Sequence, residues 1–165
     1  MTQLAELHAS LQRRGQTVAV AESLTGGLLA ATLTSTPGAS LSFRGGLVVY
    51  ATDLKSTLAG VSTQLLADRG AVDPAVAEAL ARGARQRLGA TWGIGVTGVA
   101  GPDPQDGQQV GTVFVAVVGP GTETVAQHNF LGDRNMIRLQ TVDQAVHLLA
   151  VAVDDQDKAA GDTHA

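Results

Sequence analysis

Three side chains that can carry nucleophilic chemistry follow apolar segments of this sequence: Ser23, Tyr50 and Lys55. Because the chain contains no cysteine, a thiolate nucleophile is excluded and covalent chemistry has to use a hydroxyl group. A serine without a histidine partner needs another base, which a buried, neutral lysine can supply. Tyr50 is the only tyrosine, and Lys55 is the only lysine besides Lys158. A single lysine is more often a solvated surface residue, so the spacing of Tyr50 and Lys55 suggests a catalytic pair without establishing one.

The segment after Ser23 combines Thr25 with Gly26 and Gly27, directly before an apolar stretch that is rich in Ala and Leu. Backbone N–H groups at the start of a helix can stabilise an anion, either a phosphate or the oxyanion of an amide under attack. The alternative is that Ser23 or Thr25 only caps the helix, which is a common use of hydroxyl side chains. No lysine follows the glycines and the G-x-S-x-G pattern is missing, so the turn is neither a P-loop nor a nucleophile elbow.

A second glycine-rich turn covers residues 97–102 and contains Thr97, Gly98 and Gly101. Its backbone amides can hold a phosphate or a ribose, although the glycines can equally serve a tight connection with positive φ. Arg134 stands near the start of a long predicted helix, where its guanidinium can bind a phosphate or a carboxylate. The alternatives for Arg134 are full exposure to solvent or an ion pair with Asp133.

The composition argues against several other functions. The four histidines, His8, His128, His147 and His164, have no metal-ligand spacing, so we expect no metal site. The formal net charge is −4 and no basic run exceeds the pair of Arg13 and Arg14, so direct binding of nucleic acid is not expected. No segment reaches the roughly 20 apolar residues of a membrane span. We therefore expect a cytoplasmic protein that uses neither a cofactor nor a membrane.

Apolar and polar segments alternate along the chain in the order that is typical of an α/β fold. The predicted strands are residues 17–21, 46–50, 92–96, 110–118 and 122–130. Helical spacing predicts helices near residues 4–11, 28–33, 53–59, 74–88 and 133–153. The fold class that follows is α/β, a three-layer α/β/α sandwich with a mixed, mostly parallel sheet.

Residues 1–153 form a single domain in this interpretation, and the polar residues 154–165 are expected to be a disordered tail. Ligands of such sheets bind at the carboxyl ends of the parallel strands. The polar turns at residues 23–27, 50–55 and 97–102 each follow a predicted strand. We therefore expect the three turns to meet at one edge of the sheet.

Several short segments occur in the order of one known family. They are AESLTGG at 21–27, GGLVVYATDLK at 45–55, GAVD at 70–73, GVTGVAGPD at 95–103, VGTVFVAV at 110–117 and GDR at 132–134. Together they resemble the C-terminal domain of the competence-damage-inducible protein CinA, the family of nicotinamide-nucleotide amidohydrolases. The resemblance runs from about residue 4 to residue 152, and the α/β/α sandwich of that family agrees with the interpretation above.

The resemblance implies an amidohydrolase that converts nicotinamide mononucleotide into nicotinate mononucleotide and ammonia, in pyridine-nucleotide salvage. Ser23 would attack the amide carbon, with Lys55 as base and Tyr50 relaying the proton or orienting the pair. The residues that would hold the substrate are Thr25, Gly26, Gly27, Thr97, Gly98, Gly101 and Arg134. Backbone amides near Gly26 and Gly27 would bind the oxyanion.

Two other functions are compatible with these residues. A nucleotide-binding or interaction module associated with competence and DNA damage would bind its ligand without turnover. A general serine esterase or peptidase would accept an uncharged ester. The resemblance also makes a homodimer or a larger homo-oligomer the expected assembly.

Overall fold

The computed structural model describes residues 2–161, which fold into one sheet covered by helices. Its strands are β1 (Val18–Glu22), β2 (Phe43–Val48), β3 (Trp92–Gly98), β4 (Thr112–Gly119) and β5 (Thr122–Asn129). Its helices are α1 (Gln3–Arg13), α2 (Leu28–Leu33), α3 (Thr52–Thr57), α4 (Thr63–Arg69), α5 (Pro74–Arg87) and α6 (Arg134–Gly161), with a 3₁₀ turn at Ala39–Leu41. In residues 2–161 no helix is both long and apolar enough to cross a membrane.

The sheet has the strand order β2-β1-β3-β4-β5. β1 runs parallel to β2 and to β3, whereas β3 with β4 and β4 with β5 are antiparallel. β4 and β5 are joined by a turn of only two residues, Pro120 and Gly121, and so short a connection requires an antiparallel pair. The predicted mixed α/β sandwich is confirmed. Its parallel part consists of β1, β2 and β3, with two parallel and two antiparallel pairings in the described residues.

Helices on both faces of the sheet bury its apolar side chains. On one face α1, α2 and α6 contribute buried leucines, such as Leu11, Leu29 and Leu149, to a core that includes Ile94 of β3. On the other face α4 and α5 pack on alanines and valines of β1 and β4. β4 is buried along its whole length because both of its faces are covered, as its nearly continuous apolar sequence predicts.

α5 lies unusually close to β3 because two glycines of that strand face it. A Cβ atom at Gly93 would come 2.0 Å from the carbonyl oxygen of Ala81, and one at Gly95 would come 2.2 Å from that of Ala77. The helix begins as predicted, with Pro74 in its first turn after the N-cap residue Asp73. Glycine at these two positions of β3 therefore allows a close contact between helix and sheet.

Two parts of the sequence prediction are corrected by the structure. α4 was not predicted, because its seven residues are too short to show a clear helical period. Residues 154–161, which were expected to be disordered, continue α6 up to Gly161. Contacts hold this extension to the body of the domain, since Arg14 forms an ion pair with Asp157 and Gln16 donates to Gln156 at 3.1 Å. The rest of the predicted tail, residues 162–165, lies outside the described residues.

Candidate active site

The carboxyl ends of β1, β2 and β3 meet at one edge of the sheet, as the three polar turns predicted. Backbone pairing continues past the strand ends: the N–H of Ser23 donates to the carbonyl of Val96 at 3.2 Å. On the other side of β1, the N–H of Val49 donates to the carbonyl of Glu22 at 2.8 Å. These bonds set Ser23 in register between the end of β3 and the segment that carries Tyr50.

A cleft opens over these strand ends. Six of the predicted site residues line it: Ser23, Tyr50, Thr97, Gly98, Gly101 and Arg134. Its lining also includes residues that no sequence pattern singled out, namely Leu24, Ala71, Val72, Asp103 and Gln105. The Ser23 residue is 9% exposed and Tyr50 is 58% exposed, so the serine lies deep in the cleft and the tyrosine stands at its rim.

Arg134 links three parts of the chain at the rim of the cleft. Its Nη1 donates to the carbonyl of Gly101 at 2.6 Å and its Nη2 donates to the hydroxyl of Tyr50 at 2.9 Å. The carboxylate of Asp133 accepts from the N–H of Met136 instead of pairing with Arg134. The exposed guanidinium has five N–H donors, so further donors are available to an anion at this rim.

Lys55 is buried beside the cleft, and the solvated alternative for this lysine is therefore wrong. The residue is 1% exposed, and its Nζ donates to the carbonyls of Val49 at 2.8 Å and Tyr50 at 3.2 Å. Burial lowers the pKa of Lys55, and the negative charge of Asp106 opposes this shift. Lys55 is not a lining residue of the cleft and does not contact the Ser23 hydroxyl in this conformation.

The structure corrects the predicted roles of Thr25, Gly26 and Gly27. The N–H of Gly26 donates to the carbonyl of Ser23 at 3.1 Å, and the N–H of Gly27 donates to the carboxylate of Glu22 at 3.2 Å. Neither amide is available for an oxyanion in this conformation. Thr25 is fully buried, and none of the three residues lines the cleft. In residues 2–161 the Thr25 hydroxyl has no hydrogen-bond partner, so it does not cap α2 either.

Glu22 occupies the N-terminus of α2 in place of a substrate anion. Its fully buried carboxylate accepts from the N–H groups of Leu29 at 2.8 Å and Ala30 at 3.1 Å as well as from Gly27. The favourable charge at the start of a helix is thus used inside the protein. Sequence reasoning missed this role, although a signal was present: a carboxylate ends an apolar strand directly before Ser23.

We expect Glu22→Ala to lower the free energy of unfolding by about 3 kcal/mol, because three backbone donors lose their shared acceptor. Glu22→Gln keeps one acceptor oxygen, so its free energy of unfolding should fall by clearly less. Urea unfolding of the two variants measures the difference. Equal stability of Glu22→Ala and the unmodified chain would contradict this role of the carboxylate.

Arg138 holds the turn after Ser23 from the opposite side. Its Nε donates to the carbonyl of Leu24 and its Nη2 to the carbonyl of Thr25, both at 3.0 Å. Together with Glu22, this arginine fixes the backbone that presents the serine. No local pattern could reveal the contact, because α6 follows the turn by more than a hundred residues.

The histidines do not form a common site in the described residues. His8 bonds the hydroxyl of Ser42 and the carbonyl of Leu33 in the core, and His147 bonds Gln3. His128 stacks on Phe130, and burial lowers its pKa. His164 lies outside the described residues. Within residues 2–161, no group of three or more His, Asp or Glu side chains is arranged to hold a metal ion.

The fold and the cleft define an α/β/α domain whose candidate site lies over the ends of three parallel strands. The family model of the CinA C-terminal domain matches residues 2–153. This chain therefore belongs to the CinA C-terminal domain family.

Named relatives agree with this assignment. A CinA-like protein from Frankia casuarinae is 50% identical over 139 residues, which are 84% of this chain and 32% of that protein. The chain thus spans about a third of the length of the curated relatives it matches. A solved CinA superfamily protein from Klebsiella pneumoniae 700603 superposes with a TM-score of 0.89 at 28% identity, covering 93% of this chain and 96% of that one. For CihA from Agrobacterium tumefaciens the TM-score is 0.84 at 33% identity, covering 93% and 97%.

Proposed function

We propose that this chain is an amidohydrolase that hydrolyses the carboxamide of nicotinamide mononucleotide to nicotinate mononucleotide and ammonia. The observation that supports it most strongly is the position of Ser23, deep in a cleft whose adjoining wall carries the buried Lys55. A hydroxyl nucleophile, a base of lowered pKa and a rim arginine are the groups that such a reaction on an anionic amide requires.

Lys55 is the general base of this proposal. A neutral amine has two N–H bonds, and the carbonyls of Val49 and Tyr50 accept both of them. The lone pair of the nitrogen is then free to take the proton of Ser23. Because Nζ and the serine hydroxyl are not in contact, the proton travels through a water molecule or through the hydroxyl of Tyr50. In the second route Arg134, which donates to the Tyr50 hydroxyl, holds that hydroxyl in place and leaves it its own proton to donate.

The oxyanion donors of this proposal are amides other than those of Gly26 and Gly27. In residues 2–161 the N–H groups of Leu24, Ala100 and Gly101, all at the cleft, donate to no protein acceptor. Leu24 directly follows Ser23, the position that supplies an oxyanion donor after a serine nucleophile. Ser23 Oγ bonds to the amide carbon while its proton passes to Lys55, and the carbonyl oxygen becomes the oxyanion of a tetrahedral intermediate. The amide C–N bond then breaks, and ammonia leaves with the proton that Lys55 returns, so that an ester of Ser23 remains. Water then hydrolyses the ester and restores the serine.

We expect Arg134→Gln to raise KM for nicotinamide mononucleotide by about ten- to a hundredfold, because a charged donor to the phosphate is lost. KM for nicotinamide riboside, which has no phosphate, should change little. Steady-state kinetics with both compounds measures the difference. An equal rise for both compounds would contradict a phosphate-binding role and would indicate that Arg134 only supports Tyr50.

Ammonia and nicotinate mononucleotide, measured together during incubation with nicotinamide mononucleotide, test the proposed reaction. We expect equal amounts of the two products, and no effect of a chelator. Binding without turnover would favour the nucleotide-binding module, and faster turnover of an uncharged ester would favour the serine esterase. Loss of activity with the chelator would contradict a reaction without metal.

A further inference from the structure

One wall of the cleft is a loop of residues 103–109, and one side chain fastens it to the body of the domain. Asp103 and Gln105 of this loop line the cleft. Asp106 is not a lining residue, and its Oδ2 accepts from the N–H of Ala71 at 2.9 Å. Ala71 is itself a lining residue and is 3% exposed, so its N–H depends on this acceptor.

The backbone on both sides of this contact is shaped for it. Gly70 has a φ of +75°, and a Cβ atom there would lie 2.9 Å from both Cβ and Cγ of Asp106. Asp106 has a φ of 49° and is the only non-glycine residue with positive φ in the described part of the chain. Asp106 and Gly107, which has a φ of 73°, form the two-residue turn between Gln105 and Gln108, and such a turn takes positive φ at both positions. Gly70 therefore makes room for the aspartate, and the turn presents the Asp106 carboxylate to Ala71.

The candidate site holds the same residue, Ala71, through its carbonyl group. The buried hydroxyl of Thr97, at the end of β3, donates to the carbonyl of Ala71 at 2.7 Å. Gln105 and Gln108 exchange backbone hydrogen bonds of 3.1 and 2.8 Å, which close the tip of the loop. A continuous set of hydrogen bonds thus runs from Thr97 through Ala71 to Asp106 and fixes the distance between the loop and the sheet.

We propose, on the basis of the amidohydrolase function proposed above, that Asp106 is a positioning residue that fastens the loop 103–109 to Gly70 and Ala71. This contact sets the width of the cleft and so the fit of the nucleotide part of the substrate. It also keeps the negatively charged carboxylate of Asp106 near Lys55. The charge of Asp106 raises the pKa of Lys55 against the effect of burial, while the direct contacts of the amine are two uncharged carbonyls.

Three variants separate the contact from the charge. Asp106→Ala removes both the hydrogen bond to Ala71 and the negative charge. We expect KM for nicotinamide mononucleotide to rise about tenfold, because one charge-assisted hydrogen bond is lost. The kcat should stay within about twofold of that of the unmodified chain. Asp106→Asn keeps an acceptor oxygen and tolerates positive φ, so it should restore a KM near that of the unmodified chain. In Asp106→Asn the acid limb of the pH profile of kcat/KM should move to lower pH, because the charge that raises the pKa of Lys55 is gone.

The third variant, Gly70→Ala, leaves Asp106 intact and displaces it through the added methyl group. We expect its KM to rise as in Asp106→Ala. Asp68→Ala on α4 is the matched control, because its carboxylate accepts only from Gln64 in the described structure and KM should stay unchanged. An unchanged KM in Asp106→Ala, or an equal rise in Asp106→Asn and Asp106→Ala, would overturn the proposal.

Hydrogen exchange of the Ala71 amide in the same proteins keeps this inference distinct from the proposed function. We expect faster exchange in Asp106→Ala and Gly70→Ala, and retained protection in Asp106→Asn. If the unmodified chain does not release ammonia, the amidohydrolase proposal fails, and this exchange pattern still supports the fastening of the loop. Unchanged protection in Asp106→Ala would overturn the fastening, whatever the activity of the unmodified chain.

Discussion

Ser23→Ala is expected to lower kcat for ammonia release from nicotinamide mononucleotide by at least about 10³-fold. The substitution removes the oxygen that we propose as the nucleophile and leaves only the binding groups of the cleft. The fold should survive, because the structural bonds of Ser23 are made by its backbone and no protein group in residues 2–161 bonds its hydroxyl. Kinetics together with thermal unfolding of the same preparation measure both effects.

Ser35→Ala is the matched control for this substitution. Ser35 lies on the surface, and its hydroxyl donates to the carbonyl of Thr32, so its removal should leave kcat unchanged. If Ser23→Ala keeps a kcat within tenfold of the unmodified chain, the nucleophile is another group and the proposed mechanism is wrong.

Lys55→Met is expected to lower kcat by about 10²- to 10⁴-fold, which is the usual contribution of a general base. Methionine is close to lysine in length and suits a buried position, so the variant removes the amine with little change in packing. Lys158→Met is the natural control, because Lys158 is the only other lysine and is exposed near the end of α6. Retained activity in Lys55→Met together with an unchanged fold would exclude the lysine as base.

The pH dependence of the unmodified chain gives a second measure of the role of Lys55. Because burial lowers the pKa of this lysine, its neutral form appears at a pH below the ordinary value for lysine, about 10.4. In the proposed mechanism the neutral form is the active base, so kcat/KM should rise with pH and level off once the amine has lost its proton. In Lys55→Met the remaining kcat/KM should not show this rise with pH.

The layered architecture could be predicted because local signals agreed with the global fold. Strand-length apolar segments followed by polar turns predicted the three parallel strands. The three residues between the predicted strands 110–118 and 122–130 are too few for a crossover, so these strands had to be antiparallel. Boundaries were less accurate where tertiary contacts decide them. β2 starts at Phe43, earlier than predicted, because its glycine-rich first half pairs with β1. The end of α6 depends on contacts with α1 and its neighbours that no local pattern shows.

The candidate site was predicted where backbone topology determines it. Ser23, Tyr50 and Thr97 meet because Ser23 and Tyr50 follow β1 and β2 and Thr97 lies close to the carboxyl end of the neighbouring parallel strand, β3. Burial of Lys55 could not be derived in this way, since it depends on α3 turning the amine back onto the carbonyls of Val49 and Tyr50. The oxyanion-binding role predicted for Gly26 and Gly27 was wrong for a related reason. A helix N-terminus favours any nearby anion, and in this protein the carboxylate of Glu22 takes that position.

The most direct test of this account is ammonia release from nicotinamide mononucleotide by the unmodified chain and by Ser23→Ala, measured side by side with calorimetric binding of the nucleotide. We predict equal amounts of ammonia and nicotinate mononucleotide from the unmodified chain. Ser23→Ala should bind the nucleotide and release no ammonia above the background without enzyme. Binding without ammonia release by the unmodified chain, or equal release by both proteins, would contradict the account.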